Sequence, residues 1–111
     1  MRSKLLILSL LSLLFSGAVH AAVTHTIQLE DKQFVYQDKA VEKITIKKGD
    51  TVLFKNNDTI DYDISSHSKA KPFRLGVLKP GAGKSVVFNA AGDVEVECAI
   101  HNEMFLEILV Q

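Results

Sequence analysis

Short runs of alternating apolar and polar residues recur along the chain after residue 22. The clearest is DVEVEC at residues 93–98, where two valines and Cys98 alternate with acidic residues. Similar runs cover residues 24–29, 44–47, 51–55, 84–89 and 105–110. Because successive side chains on a strand point to opposite faces, this period of two predicts short β-strands with one buried face each.

Turn signals separate these runs at regular intervals. Gly49-Asp50, Asn56-Asn57-Asp58 and the PGAG sequence at residues 80–83 each follow or precede a predicted strand. Short strands at such spacing predict an all-β fold, an antiparallel β-sandwich or a barrel. Residues 65–76 are polar and without a clear period, and are predicted to form a loop at one end of the sandwich.

The N-terminal segment has a different character. A basic start, MRSK, precedes a predominantly apolar run from Leu5 to Phe15, and Val19-His20-Ala21 places small residues where a signal peptidase reads them. This order predicts a signal peptide over residues 1–21, with secretion to the periplasm. A retained membrane anchor is the alternative, although the run is shorter than the about 20 residues that a bilayer needs. Residues 22–111 are then expected to form one domain without a membrane span.

The composition of residues 22–111 excludes some classes of function. Without Arg2 and Lys4, this part has 11 basic and 13 acidic residues, a net charge of −2. No basic cluster of the kind that binds nucleic acid is present. The chain has one cysteine, so it cannot form an internal disulfide. A lone thiol in an oxidising compartment is expected to be buried or occupied.

The candidate chemistry lies in ECAIHNEMF, residues 97–105, which contains Cys98, His101 and Met104. Thiolate and thioether sulfur select copper, especially Cu(I), and imidazole suits both copper oxidation states. Zinc is a poorer match, because structural zinc sites use four Cys or His ligands. A Cys-His nucleophile lacks a visible third orienting group. The remaining alternative is a buried cysteine, a solvated histidine and a core methionine.

Several stretches together resemble the cupredoxins, the small blue-copper proteins. They are KKGDTVLFKNND at 47–58, LKPGAGKSVVF at 78–88, and the strand that ends at Cys98 with the loop to Met104. The two-residue spacing between His101 and Met104 is similar to the loop of the amicyanin type. The segment SKAKPFRLGVLKPG at 68–81 also resembles plastocyanin relatives of the methylamine-utilisation type.

The resemblance implies an eight-stranded Greek-key β-sandwich with copper at one end. It implies Cys98 as thiolate ligand, His101 as imidazole ligand and Met104 as weak axial ligand. It further implies a one-electron carrier that works with redox partner proteins. A small domain with one metal loop and no substrate-pocket motif is not expected to be an enzyme, and we expect a monomer. Ile100 stands where related loops often have proline, so its backbone N–H is expected to be able to point at the Cys98 sulfur.

The sequence departs from the family pattern at one ligand position. The second histidine of the pattern follows the NND turn, where this chain has Tyr62 followed by Asp63. His67, five residues further on, is therefore a candidate replacement ligand. Tyr62 itself would have to ligate as a phenolate, which is costly for a group with a reference pKa of about 10. The alternative is an aromatic cover at the rim of the site. Asp61 and Asp63 are expected on the opposite strand face, solvated.

Three functions follow from these alternatives. The first is a periplasmic one-electron carrier that contains copper. The second is a Cu(I)-binding or copper-handling protein with an incomplete blue-copper site. The third is a metal-free β-sandwich that binds a protein partner.

Overall fold

The computed structural model describes residues 20–111, so most of the predicted signal peptide lies outside the described residues and its prediction stays untested. All regular elements in this range are β-strands, and no helix in it could cross a membrane. The ten strands are β1 (Thr24–Glu30), β2 (Gln33–Tyr36), β3 (Lys39–Ala40), β4 (Lys43–Ile46), β5 (Thr51–Asn56), β6 (Tyr62–Ser66), β7 (Phe73–Leu78), β8 (Gly83–Val87), β9 (Gly92–Cys98) and β10 (Phe105–Val110).

The strands form two five-stranded sheets, with orders β3-β2-β1-β5-β8 and β4-β10-β9-β6-β7. Apolar side chains from both sheets fill one core between them. The prediction of an all-β sandwich is therefore confirmed. Most neighbouring strands are antiparallel, whereas β1 pairs with β5 and β4 with β10 in parallel. Between these partners the chain passes through the other sheet, so that no hairpin joins them.

Strand β9 has the alternation that its sequence predicts. Val94, Val96 and Cys98 are buried, whereas the acidic residues between them are exposed. The strand lies in the middle of its sheet, between β10 and β6. Cys98 therefore ends a central strand with its side chain turned to the core, as the period of two predicted.

The predicted loop at residues 65–76 is wrong, because it contains the end of β6 and most of β7. All five residues of β6 are buried, including Asp63, Ser65 and Ser66. Alternation is a signal only where one strand face meets water. A strand with buried polar residues on its outer face carries no such signal. The connection between β6 and β7 is confined to residues 67–72.

Two short hairpins near the N-terminus explain why ten strands are present instead of the expected eight. Their two-residue turns are Asp31-Lys32 and Gln37-Asp38, and all four residues have positive φ, between 51° and 66°. Such turns favour Asn-Gly or Asp-Gly. Because neither turn contains glycine or asparagine, no hairpin is predicted here from the sequence. The first turn contacts the site region, since the Lys32 amide donates to the Tyr62 hydroxyl.

Candidate metal centre

The loop between β9 and β10 brings the three candidate ligands to one end of the core. Cys98 is the last residue of β9, and Met104 immediately precedes β10. Both are 3% exposed and belong to the core cluster. His101 is partly exposed, and its carbonyl accepts the Met104 amide at 3.0 Å, which closes the loop into a turn.

Three consecutive residues at the start of β6 pack on this loop. The Asp61 carbonyl lies 3.0 Å from His101 Nε2. The ring of Tyr62 meets the His101 ring edge-on, with centroids 5.1 Å apart. The Asp63 amide lies 3.4 Å from Cys98 Sγ. The segment that should supply a second ligand in a blue-copper site thus holds the cysteine and the histidine in place.

The contact with Asp61 determines which nitrogen of His101 can bind a metal. A carbonyl oxygen only accepts hydrogen bonds, so Nε2 must carry the hydrogen. In a neutral imidazole the lone pair then lies on Nδ1. Fixing the tautomer through the other nitrogen is how proteins orient a ligating histidine. His101 is therefore prepared to ligate through Nδ1.

The sulfur of Cys98 receives its hydrogen bond from a residue other than the expected one. The donor is the Asp63 amide, at 3.4 Å, and not the amide of Ile100. The next residue along, Ala99, donates its amide to the Asp63 carbonyl at 2.8 Å. An N–H directed at a thiolate withdraws charge from the sulfur and so favours the reduced metal. The electronic effect expected of Ile100 is thus supplied from β6.

Tyr62 is in the core, not at the rim. Its side chain is fully buried, and its hydroxyl donates to Asp58 Oδ2 at 2.7 Å and accepts from the Lys32 amide at 3.1 Å. Burial, helped by the hydrogen bond to Asp58, raises the pKa of Tyr62 to about 12. The phenol therefore stays neutral and its oxygen is already engaged, which argues against Tyr62 as a ligand.

Asp58 joins this hydroxyl to two turns, a role that nothing in the sequence pattern predicts. Its Oδ2 also accepts the Asp31 amide at 2.9 Å. The hydrogen bond from Tyr62, followed by those from the amides of Thr59 and Asp31, holds the pKa of the Asp58 carboxyl below its usual range. The charged form of Asp58 is therefore the one that locks Tyr62 in its present orientation.

The structure does not bring His67 into the group of candidate ligands. Its side chain is 83% exposed, and its Nε2 lies 3.2 Å from Glu97 Oε1. Glu97 points to solvent, whereas its neighbour Cys98 points to the core. His67 therefore lies on the outer side of the sheet, and no contact supports it as a fourth ligand.

Asp63 differs from the expectation of a solvated side chain. It is 5% exposed, and its Oδ2 lies 3.1 Å from Arg74 Nη2 on the adjacent strand β7. Its Oδ1 is buried without a hydrogen-bond partner among residues 20–111. Asp61 is partly exposed and pairs with Lys79 at 2.8 Å. The solvated prediction fails for Asp63 because the side chain of Arg74, from the neighbouring strand β7 of the same sheet, pairs with it.

The donor set fits copper in one oxidation state better than in the other. Cys98, His101 and Met104 supply a thiol, an imidazole nitrogen and a thioether, which is a soft set suited to Cu(I). Over residues 20–111 no three side chains of the His, Cys, Asp and Glu types are grouped to hold a metal. Cu(II) prefers further nitrogen or oxygen ligands. The residues present therefore fit Cu(I). For Cu(II) they lack the second imidazole that the blue-copper ligand pattern contains.

Comparison with known proteins identifies the architecture. No protein-family model matches the sequence, and no curated protein matches it either. The structure is similar to amicyanin from Paracoccus versutus, with a TM-score of 0.67 and 20% identity over 86% of this chain and 87% of that one. It is also similar to a purple cupredoxin from Nitrosopumilus maritimus, with a TM-score of 0.65 and 19% identity over 78% of this chain and 99% of that one.

A third solved structure contains the same architecture within a larger protein. The Cu-containing nitrite reductase from Thermus scotoductus SA-01 matches with a TM-score of 0.68 and 23% identity, over 86% of this chain and 23% of that one. At such identities the likeness is one of fold. Together with the two sheets described above, these similarities show that the chain has the cupredoxin-like fold.

Proposed function

We propose that this chain is a copper-binding protein that holds one copper ion through Cys98, His101 and Met104, with Cu(I) as the favoured state. One observation carries the proposal: the Tyr62 hydroxyl is engaged by Asp58 and by the Lys32 amide. The donors that remain on the loop are two sulfurs and one imidazole. Such a set favours Cu(I) over Cu(II).

The chain's own residues each have a part in holding the ion. Cys98 supplies the thiolate, whose charge the Asp63 amide moderates. His101 is oriented by the Asp61 carbonyl so that Nδ1 is the donor. Met104, 3% exposed, supplies a thioether and closes the core side of the site against water. Copper bound there supplies a soft one-electron couple.

The cellular setting is part of the same proposal. A signal peptide over residues 1–21 sends the chain to the periplasm. There a lone cysteine is protected either by burial or by a metal. A protein that holds Cu(I) in this compartment exchanges it with a donor or acceptor protein, and works as a monomer.

One-electron carriage is the second candidate function, and a specific observation favours it. The ligand loop is fixed to the start of β6 through Asp61, Tyr62 and Asp63, so that the ligands stay in place when the charge of the ion changes. A fixed ligand cage is what an electron-transfer site needs. The two functions differ in the affinity for Cu(II), which a carrier must also retain.

Copper titration of the mature protein in both oxidation states tests the proposal. We expect one copper per chain, and a loss of affinity of at least about 100-fold, or about 2.7 kcal/mol, in Cys98→Ser and His101→Ala. His67→Ala is the matched histidine control and should bind as the parent does. Competition with chelators of known affinity should give tighter Cu(I) than Cu(II) binding.

Each contrary result has a definite meaning. Unchanged stoichiometry in Cys98→Ser contradicts the assignment of the site. Loss of Cu(II) binding in His67→Ala would put His67 among the ligands and favour electron carriage. If the parent protein binds no copper, the third function, a metal-free β-sandwich that binds a protein partner, is favoured.

A further inference from the structure

A buried carboxylate gathers hydrogen bonds at the opposite end of the sandwich from Cys98. Asp50 precedes β5 and is 2% exposed. Its Oδ1 accepts the Val23 amide at 3.0 Å and also lies 2.9 Å from His20 Nε2, a contact that removal of a signal peptide over residues 1–21 would end. Its Oδ2 lies 2.9 Å from His25 Nε2 and accepts the Lys47 amide at 3.1 Å. Burial opposes ionisation, but these bonds, with that from His25 the largest, hold the pKa of Asp50 well below its usual range.

The charge on Asp50 orients His25 toward a tyrosine. An ionised carboxylate only accepts hydrogen bonds, so His25 Nε2 carries the hydrogen. Its Nδ1 lies 2.8 Å from the hydroxyl of Tyr36. In the neutral imidazole Nδ1 is the acceptor, so the Tyr36 phenol donates to it. The three side chains form a relay from phenol to imidazole to carboxylate, in which each group holds the next in a defined protonation state.

Tyr36 is accessible from solvent. It lines a cavity of about 400 Å³ between the start of β1 and the β2–β3 turn, and His25 is among the other residues that line it. Tyr36 is partly exposed, whereas the other end of the relay, Asp50, is buried. A small molecule in the cavity can therefore reach the phenol while the imidazole stays anchored behind it.

The second tyrosine supplies an internal comparison. The chain has two tyrosines and no tryptophan. Tyr62 is fully buried and donates to a carboxylate, that of Asp58. A carboxylate is a weaker base than an imidazole, so it accepts a phenolic proton less readily. Only Tyr36 combines access from solvent with a strong, oriented proton acceptor.

We propose that Tyr36 is a redox-active tyrosine that reduces one-electron oxidants, such as organic radicals or high-potential metal complexes, that enter this cavity. One electron passes from the ring to the oxidant, the phenolic O–H bond breaks, and the proton forms an N–H bond at His25 Nδ1. Tyr36 becomes a neutral radical, and the imidazolium is stabilised by Asp50. A one-electron reductant such as a thiol restores the phenolate, which takes the proton back from His25.

This activity does not depend on copper binding. It would consume one-electron oxidants at the end of the sandwich that is remote from the Cys98 thiol. The register of the parallel strands β1 and β5 shows that the two sites lie at opposite ends of the sandwich. The strands begin at Thr24 and Thr51, next to Asp50. They end at Leu29 and Asn56, near the hydrogen bonds of Tyr62.

Photo-oxidation tests the proposal. The purified protein is oxidised with a soluble ruthenium polypyridyl complex under laser flashes, and the tyrosyl radical is detected by electron paramagnetic resonance. We expect a radical yield at least about tenfold lower in Tyr36→Phe, and an unchanged yield in the matched control Tyr62→Phe. His25→Gln should slow radical formation at least about tenfold. Thermal unfolding monitors the folding of each variant.

A measurement on the parent protein keeps the test independent of any variant. If the proton moves to His25 with the electron, radical formation should be slower in D₂O than in H₂O. A radical that persists in Tyr36→Phe, a rate in His25→Gln equal to that of the parent, or the same rate in both solvents would overturn the proposal.

Discussion

Tyr62 meets the imidazole of His101 edge-on at 5.1 Å between ring centroids, yet its hydroxyl points away from that ring to Asp58. A residue at the position of a family ligand is here a packing partner of another candidate ligand. Its hydroxyl joins the NND turn to the β1–β2 turn through the Lys32 amide. The number of nitrogen donors at the site is therefore set by a side chain whose hydrogen bonds serve the fold.

Replacing Tyr62 with histidine should restore the missing imidazole. We expect Tyr62→His to bind Cu(II) more tightly and to show stronger thiolate-to-Cu(II) charge-transfer absorption than the parent. The variant loses the bond to Asp58 and some buried ring area, so its free energy of unfolding should fall by about 1–3 kcal/mol. Visible spectra and Cu(II) titrations measure the first effect, and urea unfolding the second.

The control for this substitution is Tyr62→Phe, which also removes the hydroxyl but adds no nitrogen. Identical Cu(II) spectra for the histidine and phenylalanine variants would mean that position 62 does not face the metal, contrary to the contact with His101.

Ionisation of Tyr62 should make stability depend on alkaline pH. Its pKa is raised to about 12 in the folded protein, against about 10 in an unfolded chain. Between these values the folded state binds the proton more strongly, so its stabilising effect is complete below pH 10 and is lost as pH rises toward 12. The loss should approach about 2.7 kcal/mol over two pH units.

Urea unfolding at several pH values from 9 to 12 measures this loss. Other groups titrate in the same range, so the quantity of interest is the difference between the parent and Tyr62→Phe. A difference that stays constant with pH would show that Tyr62 ionises as readily in the folded state as in the unfolded one.

The sequence predicted the part of the site that follows from strand alternation. In β9 one face meets the core and the other meets water, so the inward direction of Cys98 could be read from DVEVEC. The alternation fails in β6, because Asp63 and Ser65 are buried on its outer face. The burial of Asp63 follows from the strand beside it, which carries Arg74. A residue's own sequence neighbourhood does not contain that information.

Contacts between residues far apart in the chain could not be predicted from the sequence either. The relay from Tyr36 through His25 to Asp50 joins three elements, and its residues are separated by 11 and 25 positions. The sequence pattern around Asp50 indicates only a turn. Likewise, the His67 side chain lies on the outer side of the sheet beside Glu97, and the polar segment around His67 does not predict this contact.

The Gln37-Asp38 turn should be improvable by residues suited to its conformation. Both residues have positive φ, 51° and 66°, which costs a residue with a Cβ about 1 kcal/mol or more. We expect Gln37→Asn with Asp38→Gly to raise the free energy of unfolding by about 0.5–2 kcal/mol, because Asn-Gly suits this turn. Urea unfolding measures the gain. Asp38→Ala is the control: it keeps a Cβ at the strained position and should give no gain.

The Asp63–Arg74 pair should influence which copper state the protein favours. The side chain of Asp63 is buried, and the backbone amide of the same residue contacts Cys98 Sγ. At an effective dielectric constant of about 20, two unit charges about 4 Å apart interact by about 4 kcal/mol, and a more distant charge such as this one changes the energy at the site by an amount on the order of 1 kcal/mol. Arg74 offsets part of this, although its side chain is 73% exposed. Asp63→Asn should therefore shift the ratio of affinities toward Cu(I), and Arg74→Gln toward Cu(II).

The opposite signs make this last prediction specific. Loss of folding would weaken both copper states in both variants, whereas an electrostatic effect moves the two ratios apart, by about three- to tenfold each. The double variant should lie between the two single variants, because the effects of the two opposite charges on the site add and partly cancel. Competition titrations in both oxidation states measure the ratios, and urea unfolding of the metal-free proteins gives the cost in stability. A shift of the same sign in both single variants would contradict an electrostatic role for the pair and leave Asp63 with its backbone contacts alone.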